Sequence, residues 1–347
     1  MKSSSLRSIA VIVPTRNCHS VLRNHLQNLA KFREEISEII FVDSESTDGT
    51  LELIQAQLAD WPQASLLQTP PGLYASWNAA IAKISSTWVN IATVGDLLRP
   101  RGLSLLYDCA EKYDADVVLS PPVMVNTLQE SVPTRWPIHE LVKITPSSPI
   151  EHLLNEREKW LFLTALLPSS ILGSAASNLY RSCFLQKHPF PTSFGHEGDV
   201  AWGVKVAPFV RIAILDKECA SFLVHDRESS LTASLQRDRF SQLCELAAEV
   251  FAANRIPVAT EAAILSVSQQ KQVSAIWSWL SALESVQDER AKYIMTLEKE
   301  RERLKNEIHG LVGLPFFSFT KRPNRGDLAK ITRPLNRFWK TIKSFIP

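Results

Sequence analysis

The sequence has little that would brace or anchor the chain from outside. Its five cysteines, Cys18, Cys109, Cys183, Cys219 and Cys244, are scattered, odd in number, and form no C-x-x-C. That argues against a disulfide framework and a zinc site and fits a reducing cytoplasm. No run approaches the roughly 18 apolar residues of a membrane-spanning helix. The apolar run Ile9 to Val13 stops at Pro14 and is too short for the core of a secretory signal. Net charge is only +2 over 347 residues, so the average charge points to no class of partner. The stretch PTRNCHS after that first run lacks the Gly-rich, Arg/Lys-bearing loop that a nucleotidyltransferase would need. What remains is ordinary for a folded protein, 45% apolar and 21% charged, and long enough for one large domain or two ordinary ones.

The chain is organised around Ile39 to Thr50, IIFVDSESTDGT. Four apolar residues, Ile39 to Val42, form the continuous run of a strand buried in a parallel sheet. The run ends at Asp43 in a polar turn. Leu51, Ile54 and Leu58 then recur at helical spacing, with Thr50 or Asp48 able to cap. In an open α/β sheet, ligands bind at the carboxyl ends of strands, which is where Asp43 falls.

The same alternation recurs along the chain. Strands are predicted at 9–13, 39–42, 64–67, 88–92 and 116–120, with helical faces between them and one from Leu73 through Ile84. This is an α/β chain with a mainly parallel sheet flanked by helices. Residues 121–149 are proline-rich and read as irregular, part of an insertion spanning about 121–170. Strands are expected again at 174–181, 212–215 and 220–224, and a helix over 200–207. After Leu231 the pattern is helical, giving a helical C-terminal extension. It divides into a helical region at 236–282, a highly charged segment at 283–312 and a basic tail at 313–347.

The ordered set VIVPTRN, FVDSESTDGT, GLYASWNAAI and WVNIATVGDLLRP, continued in GHEGDVAW and FLVHDRESS, resembles the inverting family 2 glycosyltransferases of the GT-A (Rossmann-like) fold. The likeness covers roughly residues 7–235 and implies a glycosyltransferase domain at 1–235. It implies transfer of a sugar from a nucleotide-sugar donor to an acceptor hydroxyl in glycan or polysaccharide assembly, with Mg²⁺ or Mn²⁺. The chemistry explains these residue types. A departing nucleoside diphosphate needs its charge neutralised by a hard cation on a carboxylate, and the acceptor hydroxyl needs a general base.

Carried onto this chain, the resemblance implies that Thr15 and Arg16 meet the nucleotide and that Asp43 contacts base or ribose. Tyr74 and Asn78 would lie beside the pyrophosphate. Gly95 stands where a neighbouring carboxylate often touches ribose, which leaves Asp96 as the metal-coordinating acid, with His225 as a second metal or diphosphate contact. Asp199 is the expected general base and Glu197 its competitor. Plainer readings stay open beside these: a surface charge for Arg16, a turn or cap for Asp48, a helix cap for Asp96 or Asp199, a loop residue for His196. The departure at Gly95 also keeps open a degenerate, non-catalytic nucleotide-sugar binder.

Two further expectations concern the C-terminal third. Ile294, Leu297, Leu304, Ile308 and Leu311 form a coiled-coil-like seam that could pair two copies in a homodimer, or belong to a long solvated helix packed on the body. From Lys321 to Pro347 stand eight basic residues and one acid. They flank an apolar stripe from Leu328 to Phe345, with Trp339 near its boundary. That composition predicts a helix lying on an anionic membrane, near a glycan or lipid-linked acceptor, rather than nucleic-acid binding. A C-terminal helix packed on the catalytic domain is the alternative. Localisation would be cytoplasmic, peripheral on the inner face of the membrane.

Overall fold

The computed structural model describes residues 7–144, 151–164, 167, 169–224 and 233–254. His225, the helical region beyond 254, the 283–312 seam and the 321–347 tail lie outside the described residues. β1 (Ile9–Thr15), α1 (His19–Ala30), β2 (Glu38–Asp43), α2 (Thr50–Leu58), β3 (Ala64–Gln68), α3 (Leu73–Ile81), β4 (Trp88–Ile91), α4 (Gly102–Tyr113) and β5 (Val117–Leu119) alternate as the apolar runs predict. There follow β6 (Val123–Val125), α5 (Pro137–Ile144), β7 (Glu151–Leu153), α6 (Glu156–Thr164), β8 (Leu179–Arg181), α7 (Ser182–Lys187), α8 (Gly198–Val206), β9 (Ile212–Leu215), β10 (Ser221–Leu223) and α9 (Ala233–Ala253).

Eight strands form one sheet in the order β3-β2-β1-β4-β8-β5-β9-β7. β8 runs against β4 and β5, and β7 against β9, while the others share one direction. The sheet is therefore mainly parallel, the GT-A arrangement. Both faces are covered, which is why its strands are apolar without alternation. Ile9, Val11 and Val13 face one core with Leu22, Leu26 and Leu29 of α1. Ala10 and Ile12 face another with Trp77, Ala80 and Ile81 of α3. On α8, Ala201 and Val204 pack against Leu243 and Ala247 of α9. Among the described residues no helix is long and apolar enough to cross a membrane.

Several expectations are corrected. The stretch 121–149 is not irregular throughout: it contains β6 and α5, and beyond it β7 closes one edge of the main sheet. Its strands are too short to show a period, and Pro137 starts α5 rather than breaking it, because proline is tolerated at a helix's first turn. The strand expected over 174–181 is only β8. Residues Ala175–Ser177 form a 3-10 turn, with Ser174 Oγ accepting the Ala176 N–H at 3.2 Å. At α2 the cap position is Gly49, at φ 90°. Asp48 Oδ1 accepts the Thr50 N–H just beyond it, at 3.1 Å. β10 leaves the main sheet and pairs in parallel with β6 as a separate two-stranded ribbon.

Candidate active site

A cavity of about 1100 Å³ opens at the carboxyl ends of β1 and β4. Thr15, Arg16, Asp96, Glu197 and Asp199 line it, so five of the expected residues come together from three segments. Arg16 is exposed there.

Beneath the cavity the loops after β1 and β2 are laced together. Parallel register sets Thr15 beside Asp43. The Thr15 hydroxyl lies 3.1 Å from Asp43 Oδ1, and Ser46 donates its hydroxyl to Oδ1 at 2.5 Å and its N–H to Oδ2 at 3.0 Å. Asn17 Oδ1 accepts the Thr47 N–H at 2.8 Å, and Asp48 Oδ2 accepts the His19 N–H at 3.0 Å. Asp43 is thus fully buried, and its carboxylate holds the loop that carries Arg16.

Asp96 follows β4 and is 3% exposed. It caps no helix, since α4 begins only at Gly102. Its Oδ1 accepts the Leu223 N–H at 2.9 Å and its Oδ2 accepts the Ser174 hydroxyl at 3.2 Å. Burial pushes its carboxyl up to about 7, against the lowering effect of those two bonds. Gly95 stands at φ 104°, and a Cβ there would come within 2.9 Å of Leu223 Cδ2. Glycine is what this turn and this close approach admit.

Asp199 sits in the first turn of α8, where its Oδ1 accepts the adjacent Val200 N–H at 2.8 Å. The same oxygen lies 3.0 Å from the Tyr74 hydroxyl, which is also 2.9 Å from the His196 carbonyl. Burial raises the Asp199 carboxyl, nearby Glu197 adds to the rise, and the Tyr74 hydrogen bond opposes it. Tyr74 reaches this point because Gly198 has no side chain: a Cβ there would fall 2.3 Å from Tyr74 Cδ2. The Tyr74 ring stacks on Phe190 at 5.6 Å and meets the edge of Trp77 at 5.1 Å.

Four expected residues do not line the cavity: Asp43, Tyr74, Asn78 and Gly95. Tyr74 is turned toward Asp199. Asn78 clamps the chain at Phe190, donating to its carbonyl at 2.8 Å and accepting its N–H at 3.0 Å. His225 lies outside the described residues. Sequence reasoning passed over Ser174, which reaches Asp96 from 78 residues away. It also passed over Trp136 and Phe222, which line the cavity. An aromatic standing in the proline-rich stretch was the available signal for Trp136.

Among the described residues no three His, Cys, Asp or Glu side chains gather as a metal cage. Asp96 nevertheless fits a divalent ion. It is a buried carboxylate on the cavity wall, and among the described residues no cationic side chain makes an ion pair or charge contact with it. Substrate phosphate oxygens and water ordinarily complete the shell of Mg²⁺ bound by so few carboxylates.

Residues 10–164 match the model of glycosyl transferase family 2. That segment includes Asp96 and ends before Asp199. No curated protein matches the sequence. Among solved structures, S. aureus TarS 1-349 is similar at 20% identity and a TM-score of 0.55, over 84% of this chain and 79% of that one. The same protein in complex with UDP-GlcNAc is similar at 22% identity and 0.56, over 77% and 73%. Its complex with UDP gives 20% and 0.53, over 76% and 70%. At these identities the likeness establishes the shared fold.

Proposed function

We propose that this chain, whose residues 10–164 match glycosyl transferase family 2, moves a sugar from a nucleotide-sugar to an acceptor hydroxyl with inversion, in glycan or polysaccharide assembly. One observation carries the reading: Arg16, Asp96 and Asp199, from three distant stretches, wall one cavity at the strand ends. The binding of UDP-GlcNAc by TarS supports a nucleotide-sugar as the donor class.

In this reading Arg16, on the loop held by Asp43 and Thr15, meets the donor diphosphate. Asp96 would hold Mg²⁺ or Mn²⁺, which would supply the positive charge that a departing nucleoside diphosphate needs. Asp199 takes the proton of the acceptor hydroxyl as its oxygen bonds the anomeric carbon and the carbon–phosphate-oxygen bond breaks. The raised Asp199 carboxyl suits a general base working near neutral pH. Glu197 is the second candidate for that proton. A cytoplasmic enzyme, peripheral on the inner face of the membrane through 321–347 and paired through 283–312, completes the proposal.

A non-catalytic binder is the second reading, favoured by Gly95, where no carboxylate could enter without displacing Leu223. Hydrolysis and transfer over a panel of nucleotide-sugars, with and without Mn²⁺, decide between them. The product anomer, read by NMR, reports inversion. Donor binding without turnover under every condition would leave the binder.

A further inference from the structure

The wall of the cavity formed by the stretch after residue 120 and by β10 has a chemistry of its own. Trp136 and Phe222 line it with ring centroids 4.4 Å apart and planes tilted 59°. Both rings are half-buried, although each is large and apolar, and the cavity is where they border open space.

The pair is held in place from behind. The backbone N–H of Trp136 donates to His139 Nδ1 at 3.0 Å, and His139 Nε2 lies 2.8 Å from the Pro122 carbonyl. Those partners fix one tautomer, with the proton on Nε2. Gly173, at φ 57°, lies beside the indole, where a Cβ would be 3.6 Å from Trp136 Cε3. Phe222 is fixed through its neighbour Leu223, whose N–H is bonded to Asp96. The aromatic wall therefore begins one residue from the carboxylate assigned to the donor side.

Charge narrows the ligand. Among the described residues that line the cavity, Arg16 is the only permanent cation, and it stands at the end of β1. The acids are Asp96, Glu197 and Asp199. An anionic acceptor would meet like charges, and among the described lining residues no permanent cation but Arg16, at a cost in binding. Thr127, Ser169 and Ser170 add neutral hydroxyls to the same lining. A pyranose ring matches this set. Its C–H face, slightly positive, stacks on the negative face of an indole or phenyl ring. Its hydroxyls pair with side-chain hydroxyls at the rim.

We propose that Trp136 and Phe222 form the acceptor subsite and that it takes a neutral saccharide ring, not a phosphate- or carboxylate-bearing acceptor. The proposal rests on the glycosyltransferase reading, and its test separates the two. Donor hydrolysis is measured first without acceptor, then transfer to cellobiose, maltose and N,N′-diacetylchitobiose, and to glycerol 3-phosphate and a glucuronate-containing disaccharide. Saturation-transfer NMR reads binding of the same five probes to the full chain. Neutral disaccharides are expected to bind and the anionic probes not. Trp136→Ala is expected to raise the acceptor KM roughly tenfold or more, with a much smaller change in donor KM, and Trp136→Phe to restore most of it. Preference for the anionic probes, or an acceptor KM indifferent to Trp136→Ala and Phe222→Ala, overturns the subsite while donor hydrolysis leaves the transferase standing. If wild type neither hydrolyses nor transfers from any donor, the transferase reading fails, and NMR still decides whether the wall binds a neutral saccharide.

Discussion

The Tyr74 hydroxyl lies 3.0 Å from Asp199 Oδ1, joining residues 125 apart in the chain. The resemblance places Tyr74 beside the donor pyrophosphate; in the fold its hydroxyl is turned toward Asp199. The titratable groups that bear on Asp199 are Tyr74 from α3, Glu197 from the turn before α8, and Tyr180 from β8. Of these, Tyr74 alone lowers the carboxyl, by a hydrogen bond to its ionised form. Tyr74→Phe keeps the ring against Gly198 and removes that bond. The Asp199 carboxyl should then rise further. A base must be deprotonated to act, so the acid limb of the kcat profile should move to higher pH, with donor KM little changed. A pH–rate series on wild type and variant checks this; superimposable profiles would detach Tyr74 from the base.

Asp199→Asn should lower kcat far more than it weakens donor binding, because a base acts in the transition state. General-base catalysis contributes about 10²–10⁴-fold. Glu197→Gln is the control. If the Glu197 change is the lethal one and the Asp199 change is mild, the base has been assigned to the wrong carboxylate.

Asp96→Asn should abolish metal-dependent turnover and, in the metal-free protein, stabilise the fold. Its folded-state carboxyl stands at about 7, above the ordinary carboxylate range. Between the unfolded value and about 7 the folded state holds a proton that the unfolded state has lost. This group's contribution to stability therefore falls as pH rises through that window and stays low above it. Asparagine removes the loss. Thermal melts without metal should show wild type losing Tm from pH 5 to pH 8 relative to the variant, and Mn²⁺ raising only the wild-type Tm. Equal slopes for the two proteins would contradict the assignment.

Asp43→Ala should act through the loop it holds. Without the carboxylate, the Thr15 hydroxyl and the Ser46 N–H lose a buried acceptor. The expected cost is about 1–3 kcal/mol of stability, read by urea denaturation. Donor KM should rise as the loop bearing Arg16 loosens. Unchanged stability and unchanged nucleoside diphosphate affinity by calorimetry would remove Asp43 from both roles.

The tail prediction rests on sequence alone. The intact chain should co-sediment with anionic vesicles, salt should weaken this, and deletion of 321–347 should remove it while donor hydrolysis continues. Indifference to anionic vesicles at low salt would favour a tail packed on the body of the protein.

Much of the layout could be read beforehand for a physical reason. Strands covered on both faces are continuous apolar runs, so Val13, Val42 and Ile91 announce where each strand ends and the polar residues beyond it cluster. The direction of a polar side chain at such an end could not be read. Thr15 and Asp43 are partners across β1 and β2, Asn78 turns to Phe190, and Tyr74 to Asp199, all through contacts distant in sequence. Asp96 was legible as a lone acid after β4, but its partners Ser174 and Leu223 carry no local signal. Trp136 and Phe222 lie in or beside elements of only a few residues, where periodicity cannot say which ring meets the cavity.

The ribbon of β6 and β10 has no strand in common with the eight-stranded sheet. Along β10 neighbouring residues point to opposite faces, so Phe222 and Leu223 exchange orientation if the pairing shifts by one residue, and recover it if the shift is two. A one-residue slip would withdraw Phe222 from the cavity and take from Asp96 the Leu223 N–H that it accepts. A two-residue slip would present a new side chain there and return an N–H to Asp96. If the proposed acceptor subsite holds, the register of this small ribbon sets which ring faces the acceptor, while the strands of the eight-stranded sheet stay where they are.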